Sequence, residues 1–129
     1  MWLLLLLLPH GICEAVMQLC LEKHQLIFCV EIFEEIREKL AVKIKVPNHI
    51  IKDYLELLRV NSLMLKSLKV EKDICKDPDD LKIFGLAESA NADIIITGDK
   101  DILVKKKYKK TLILSPRDFW ELNRKIRMD

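Results

Sequence analysis

The chain has 129 residues, half of them hydrophobic and a third charged, with a net charge of +2. This is the size of one domain, 1–129, and the composition is that of a soluble globular chain able to bury a core. The near balance of charge excludes a chain-wide basic coat, so any surface for nucleic acid must be local.

Only three glycines and four prolines occur, which favours long regular elements joined by short connections. The four cysteines, Cys13, Cys20, Cys29 and Cys75, form no C-x-x-C pair, and no His stands at zinc-ligand spacing from them. They read as reduced, buried thiols of a cytoplasmic protein.

The first eleven residues, MWLLLLLLPHG, are atypical. A membrane span needs about 20 apolar residues, and this run is far shorter. A secretory signal needs a basic start and a small-residue cleavage site, and neither is present. The run therefore predicts a buried helix or strand, cut off at its front by the chain start, with a turn at Pro9, His10 and Gly11.

Apolar residues at Ile12, Val16, Leu19 and Cys20 give helical spacing over Ile12 to Lys23. Gln25 to Val30 is short and apolar, a buried strand. Glu31 to Leu40 is a helix with Ile32, Phe33, Ile36 and Leu40 inward. Glu31, Glu34 and Glu38 point away and read as solvated charges, with Arg37 and Lys39 as partners. Glu35 lies at the margin of the apolar stripe.

Ala41 to Val46 is a basic connection ending at Pro47. Asn48 to Leu58 is an amphipathic helix with Ile51, Tyr54, Leu55 and Leu58 inward and His49 exposed in its first turn. Residues 62 to 75 alternate loosely, as a short strand or an extended segment. Asp77-Pro78-Asp79-Asp80 is a helix start, with a capping acid and Pro at the first position. Ile83, Phe84, Ala87 and Ala90 face inward from that helix. Gly85 within it costs about 1 kcal/mol relative to Ala, which a close helix–sheet approach would explain.

Ala92 to Thr97 is the clearest strand. Its three consecutive isoleucines lack alternation and predict cover on both faces, as in a parallel sheet. Lys105 to Lys110 is the densest basic run, read either as a solvated loop or as a phosphate-contacting edge. Thr111 to Leu114 is a last short strand. Ser115-Pro116-x-Asp118 then starts a helix packed by Phe119, Trp120 and Leu122. Helices alternating with strands predict an α/β fold, a sandwich around a mainly parallel sheet.

Sites on such sheets lie beyond the carboxyl ends of the strands. Asp99 and Asp101 follow the Ala92 to Thr97 strand directly. A helix packed antiparallel on that strand brings Asp79 and Asp80 to the same edge, and Glu35 lies on the helix after Gln25 to Val30. Carboxylates gathered at one spot repel, and a hard divalent cation removes that repulsion. All-oxygen donors suit Mg²⁺ or Mn²⁺, which activates water and stabilises charge developing on a phosphate. The bland alternative is helix caps and surface acids, and it accounts for Asp77 and Asp79.

From about Leu8 to Leu122 the chain resembles PIN-domain ribonucleases, in the branch of toxin components of toxin–antitoxin systems. The segments that carry the resemblance are EIFEEIREKL, CKDPDDLKIFGLAESANADIIITGDKDIL and LILSPRDFWEL. It implies a three-layer α/β/α sandwich and cleavage of RNA with Mg²⁺ or Mn²⁺. It assigns Glu35, Asp80 and Asp99 as catalytic metal ligands, Asp101 as a further ligand or water-orienting acid, and Thr97 as the hydroxyl beside the site. It also implies a cognate antitoxin as partner, and a homodimer.

The chain departs from this pattern at its front. Chains of that branch begin with a central strand ending in Asp, and here no Asp precedes Asp53. The first strand and its Asp are expected to be missing or replaced. The true start lies upstream, the gene is a degraded remnant, or Leu3 to Leu8 replace the strand without its acid. Two functions from different classes follow: a metal-dependent endoribonuclease, with Lys105, Lys106, Lys107, Lys109 and Lys110 guiding RNA, or an inactive PIN-fold protein acting as an interaction module. A membrane-associated protein using the leucine run is the third.

Overall fold

The computed structural model describes residues 2–5, 22–74 and 80–128. The expected helix over Ile12 to Lys23, with Cys13 and Cys20, lies almost wholly outside the described residues, as do Cys75, Asp77 and Asp79.

The strand expected to be missing is present. Trp2–Leu5 forms β1, in parallel register with Gln25–Phe28 (β2) on one side and Ile94–Ile96 (β4) on the other. A short, uninterrupted apolar run meets the requirement of a strand flanked by two others, and no acid is needed for that. Ser62–Met64 (β3) pairs parallel with β2, and Thr111–Leu114 (β6) pairs parallel with β4. Lys107–Tyr108 (β5) runs antiparallel to β6 at the edge. The described strands form one six-stranded sheet in the order β3-β2-β1-β4-β6-β5.

The core follows from the two unalternating strands. Leu26, Ile27 and Phe28 of β2 and Ile94, Ile95 and Ile96 of β4 are all buried. Each such side chain contributes roughly 1.5–3 kcal/mol by leaving water. Helix α1, Val30–Glu38, buries Ile32 and Ile36 as its spacing predicts, and Phe33 packs on Phe28 with ring centroids 4.9 Å apart. Val30 is the first residue of this helix and is exposed, so the strand before it ends at Phe28. The connection after α1 is wider than expected. Lys39–Lys43 makes a π-helical turn, with the Ile44 N–H donating to Lys39 O at 3.1 Å. Helix α2, Asn48–Val60, buries Ile51, Leu55 and Leu58, and His49 is exposed in its first turn.

The segment after β3 runs without regular structure to a 3-10 turn at Lys72–Ile74. It explains Gly85 differently from the expected helix–sheet contact. Helix α3, Leu81–Ala90, carries Gly85 buried on its face. The Leu68 N–H donates to Gly85 O at 3.1 Å, so the two backbones touch. A Cβ at residue 85 would collide with Leu68 O and Ser67 Oγ and stand 3.0 Å from the Leu68 carbonyl carbon. The close approach is thus helix to strap. Asn91 ends α3 in the left-handed conformation, φ 51°, a position that tolerates Asn, and Ala92 N–H closes the turn onto Ala87 O at 2.9 Å.

Helix α4 is Lys100–Leu103 and helix α5 is Pro116–Met128. The Ser115 cap is as the sequence predicts: its Oγ accepts the Asp118 N–H at 3.1 Å. Phe119 is fully buried and Leu122 packs against the core, but Trp120 is 37% exposed and does not anchor the helix. A part-buried polar contact also joins this helix to the segment before β2. The His24 and Asn123 side chains are hydrogen-bonded, Nε2 to Oδ1, at 2.9 Å, Asn123 donates to Phe119 O at 2.9 Å, and the His24 ring meets Phe119 edge-on at 5.5 Å. Nothing in the spacing of the sequence singled out His24. Among the described residues no helix is long and apolar enough to cross a membrane.

Gly85→Ala, ordinarily stabilising inside a helix, is expected to destabilise this protein by about 1–3 kcal/mol through the collision with the strap. Urea unfolding of the two proteins checks the sign. Burial holds the His24 imidazole below its usual value of 6.5. The unfolded chain then binds the proton that the folded chain refuses, so stability falls as pH drops below about 6.5. The urea midpoint of His24→Gln should decline less over the same pH range than that of the parent chain.

Candidate active site

Parallel strands put all their carboxyl ends on one edge, and this edge collects the acids. The Thr97 N–H donates to Leu114 O at 3.0 Å and continues the pairing of β4 with β6. The Thr97 side chain is buried, 1% exposed, and its Oγ1 accepts the Asp99 N–H at 3.1 Å. Asp99 in turn caps α4, accepting the Asp101 N–H on Oδ1 at 2.9 Å. Thr97, Asp99 and Asp101 therefore form a chain of local hydrogen bonds, with both acids exposed.

On the neighbouring strand Leu5 stands level with Ile96. The edge position where the resemblance puts a strand-ending Asp thus adjoins the end of β4, and the sequence has no Asp before Asp53.

The short turn at Asn91 reverses the chain between α3 and β4, so α3 starts at the same edge. Asp80 occupies its N-cap position with helical backbone, φ −81°, and its side chain makes no capping bond. Glu35 comes from α1, which leaves the same edge after β2. Its carboxylate is paired with the Lys82 ammonium, in the first turn of α3. Lys82 is the more enclosed partner, its side chain 22% exposed against 41% for Glu35.

Glu31 lies one turn before Glu35 on the same helix and also feels Lys82. Its carboxyl is held below the usual range, first by its own backbone N–H and then by the Cys29 thiol. Burial pushes that thiol up to about 11, which keeps it protonated at neutral pH. Glu31 is exposed, as its spacing predicts, yet the Lys82 charge reaches it. The i, i+4 spacing from Glu35 was the available signal that the two share a face.

The donor types at this edge are those of a Mg²⁺ or Mn²⁺ site. The arrangement does not complete one: among the described residues no three His, Cys, Asp or Glu side chains stand close enough to hold a metal ion. The sequence carries no Asp at the end of β1, and Glu35 is engaged by Lys82.

The five lysines of the basic run are exposed; Lys105, Lys106, Lys109 and Lys110 lie outside any strand, and only Lys107 and Tyr108 form β5. Lys107 pairs with Leu112 and Tyr108 with Thr111 in a hairpin, with Lys106 and Lys109 in left-handed backbone at φ 61° and 52°. Leu112 is level with Ile94, the start of β4. The turn at Lys109 and Lys110 therefore lies at the amino ends of the parallel strands, opposite Asp99. There the Tyr108 hydroxyl donates to Glu88 Oε2 at 2.9 Å, and Lys109 pairs with the other Glu88 oxygen. Burial, then Glu88, pushes the Tyr108 phenol up to about 12. Lys105 places its ammonium 5.9 Å from the centroid of the Phe84 ring.

A mainly parallel sheet with acids at its carboxyl edge defines a class of α/β proteins whose chemistry is sited at strand ends. A family model described as PIN domain matches residues 2–101, from β1 into α4, and the chain belongs to the PIN domain family. The family is nuclease-like in general. Neither the comparison with curated proteins nor that with solved structures gives a match.

The cap made by Asp99 can be separated from its charge. Asp99→Asn keeps an acceptor for the Asp101 N–H and should leave stability within a few tenths of a kcal/mol, whereas Asp99→Ala should cost about 0.5–1 kcal/mol. Thermal unfolding of the pair measures the difference.

Proposed function

We propose that this chain is an endoribonuclease of the PIN-domain toxin type, cleaving RNA phosphodiester bonds with Mg²⁺ or Mn²⁺ held by carboxylates. The observation that carries the reading is Asp99: it follows closely on the buried central strand β4, is fixed by Thr97 and by the Asp101 N–H, and lies within the family match. Asp80, Asp99 and Asp101 are the proposed ligands from the α3–β4–α4 unit, with Glu35 from α1. A metal bound there supplies an activated water and stabilises charge on the phosphate. The protein's own part is to fix the acids: Thr97 and the Asp101 N–H orient Asp99, and the start of α3 presents Asp80.

The register of the hairpin favours Lys105 and Lys106 over Lys107, Lys109 and Lys110 as RNA contacts, because the latter three lie toward the amino ends of the parallel strands. A three-layer α/β/α arrangement, a cognate antitoxin and a homodimer, drawn from the resemblance to the toxin branch, complete the reading, with a cytoplasmic location drawn from the reduced cysteines.

A second reading has specific support. Without an acid at the end of β1, and with Glu35 engaged by Lys82, the edge is short of ligands. On this reading the chain is a catalytically silent PIN-fold protein that serves as an interaction module.

Cleavage of labelled RNA by the purified chain in Mn²⁺ decides between them. The nuclease reading expects cleavage that chelation stops and that Asp99→Asn reduces by at least about 100-fold, the scale of removing one transition-state contact. Equal cleavage by both proteins points to a contaminant. Intact RNA at every Mn²⁺ concentration, from a protein shown to be folded, supports the silent module.

A further inference from the structure

Lys82 binds Glu35, an acid of the proposed site. It reaches Glu35 from another helix, 47 positions along the chain, so the contact is tertiary and not a local helix pair. Its backbone is also fixed. The Lys82 carbonyl accepts the Ser67 hydroxyl at 2.8 Å, which ties the first turn of α3 to the strap that packs against Gly85. Its side chain is only 22% exposed, so the ammonium is less screened than a freely solvated lysine. Glu31 adds a second carboxylate within its field.

A carboxylate that neutralises an ammonium and one that ligates a divalent cation use the same oxygens. An ion entering beside Glu35 meets a resident positive charge. Either the ammonium leaves or the two cations repel at short range, where screening by water is incomplete. We infer that Lys82 is a built-in counter-ion for Glu35 which a divalent cation must displace, and that this positioning residue sets the metal affinity of the carboxylate edge. The inference rests on the reading of that edge as a metal site. It goes further in naming a residue, outside the acids, that governs loading.

Lys82→Met retains the apolar length of the side chain and removes the charge. Mn²⁺ binding to the full chain, followed by titration calorimetry, should tighten about tenfold or more in Lys82→Met. Lys82→Arg, which keeps the charge, should bind like the parent. The gain should vanish in the Glu35→Gln, Lys82→Met double variant, which lacks the carboxylate to be released. Lys82→Gln provides a second neutral variant if Met at this position impairs folding.

Affinities equal within a factor of two for the parent and the neutral variants would overturn the inference. So would no detectable Mn²⁺ binding in any variant. A gain that survives Glu35→Gln would show that Lys82 acts through another group, and would overturn it as well. The nuclease reading is scored separately, on RNA. Metal that binds as expected while RNA stays intact leaves the counter-ion role standing and refutes the nuclease. Cleavage with affinities unmoved by Lys82→Met does the reverse.

Discussion

Ile94, Ile95 and Ile96 are buried on a strand with no alternation, and the remaining architecture answers the demand they make. A strand with apolar groups on both faces has to be covered on both faces and flanked on both edges. Here β1 and β6 flank it in parallel, and the connections between parallel strands must return the chain to the starting edge each time. Every such return puts the next carboxyl end on the same side. Acids that are distant in sequence, on α1, at the start of α3 and after β4, are brought toward one edge by this wiring.

The edge is governed by electrostatics as much as by position. Asp99 is oriented by neighbours within two residues on either side, through Thr97 and the Asp101 N–H, so its placement survives at exposure. Glu35 is controlled from a different helix by Lys82. The two acids therefore answer to different constraints, one local and one tertiary. Cys29, buried where α1 begins, is kept neutral by desolvation and adds no thiolate to the edge.

Two features of the fold depend on backbone meeting backbone. Gly85 lets the strap before the 3-10 turn lie directly on α3, with the Leu68 N–H bonded to its carbonyl, and the same strap positions Lys82 through Ser67. At the far side of the sheet the basic run folds back as β5 onto β6, and Glu88 takes up both the Tyr108 hydroxyl and Lys109. Charge in that hairpin is thus partly spent on holding α3 to the sheet edge.

The sequence by itself determined the elements whose signals are local or periodic. The uninterrupted isoleucines of β4, the inward spacing of Ile32 and Ile36 and of Ile51, Leu55 and Leu58, and the Ser115 cap all follow from side-chain periodicity and hydrogen bonding within a few residues. So does the absence of an Asp before Asp53. Tertiary structure alone decided that Trp2–Leu5 is a central strand, that Gly85 serves a strap and not the sheet, that Lys109 and Lys110 stand opposite the acids, and that Lys82 holds Glu35. Each of these is a contact between segments far apart in the chain. Its energy depends on which backbone or charge arrives from elsewhere, and no spacing within one segment encodes that.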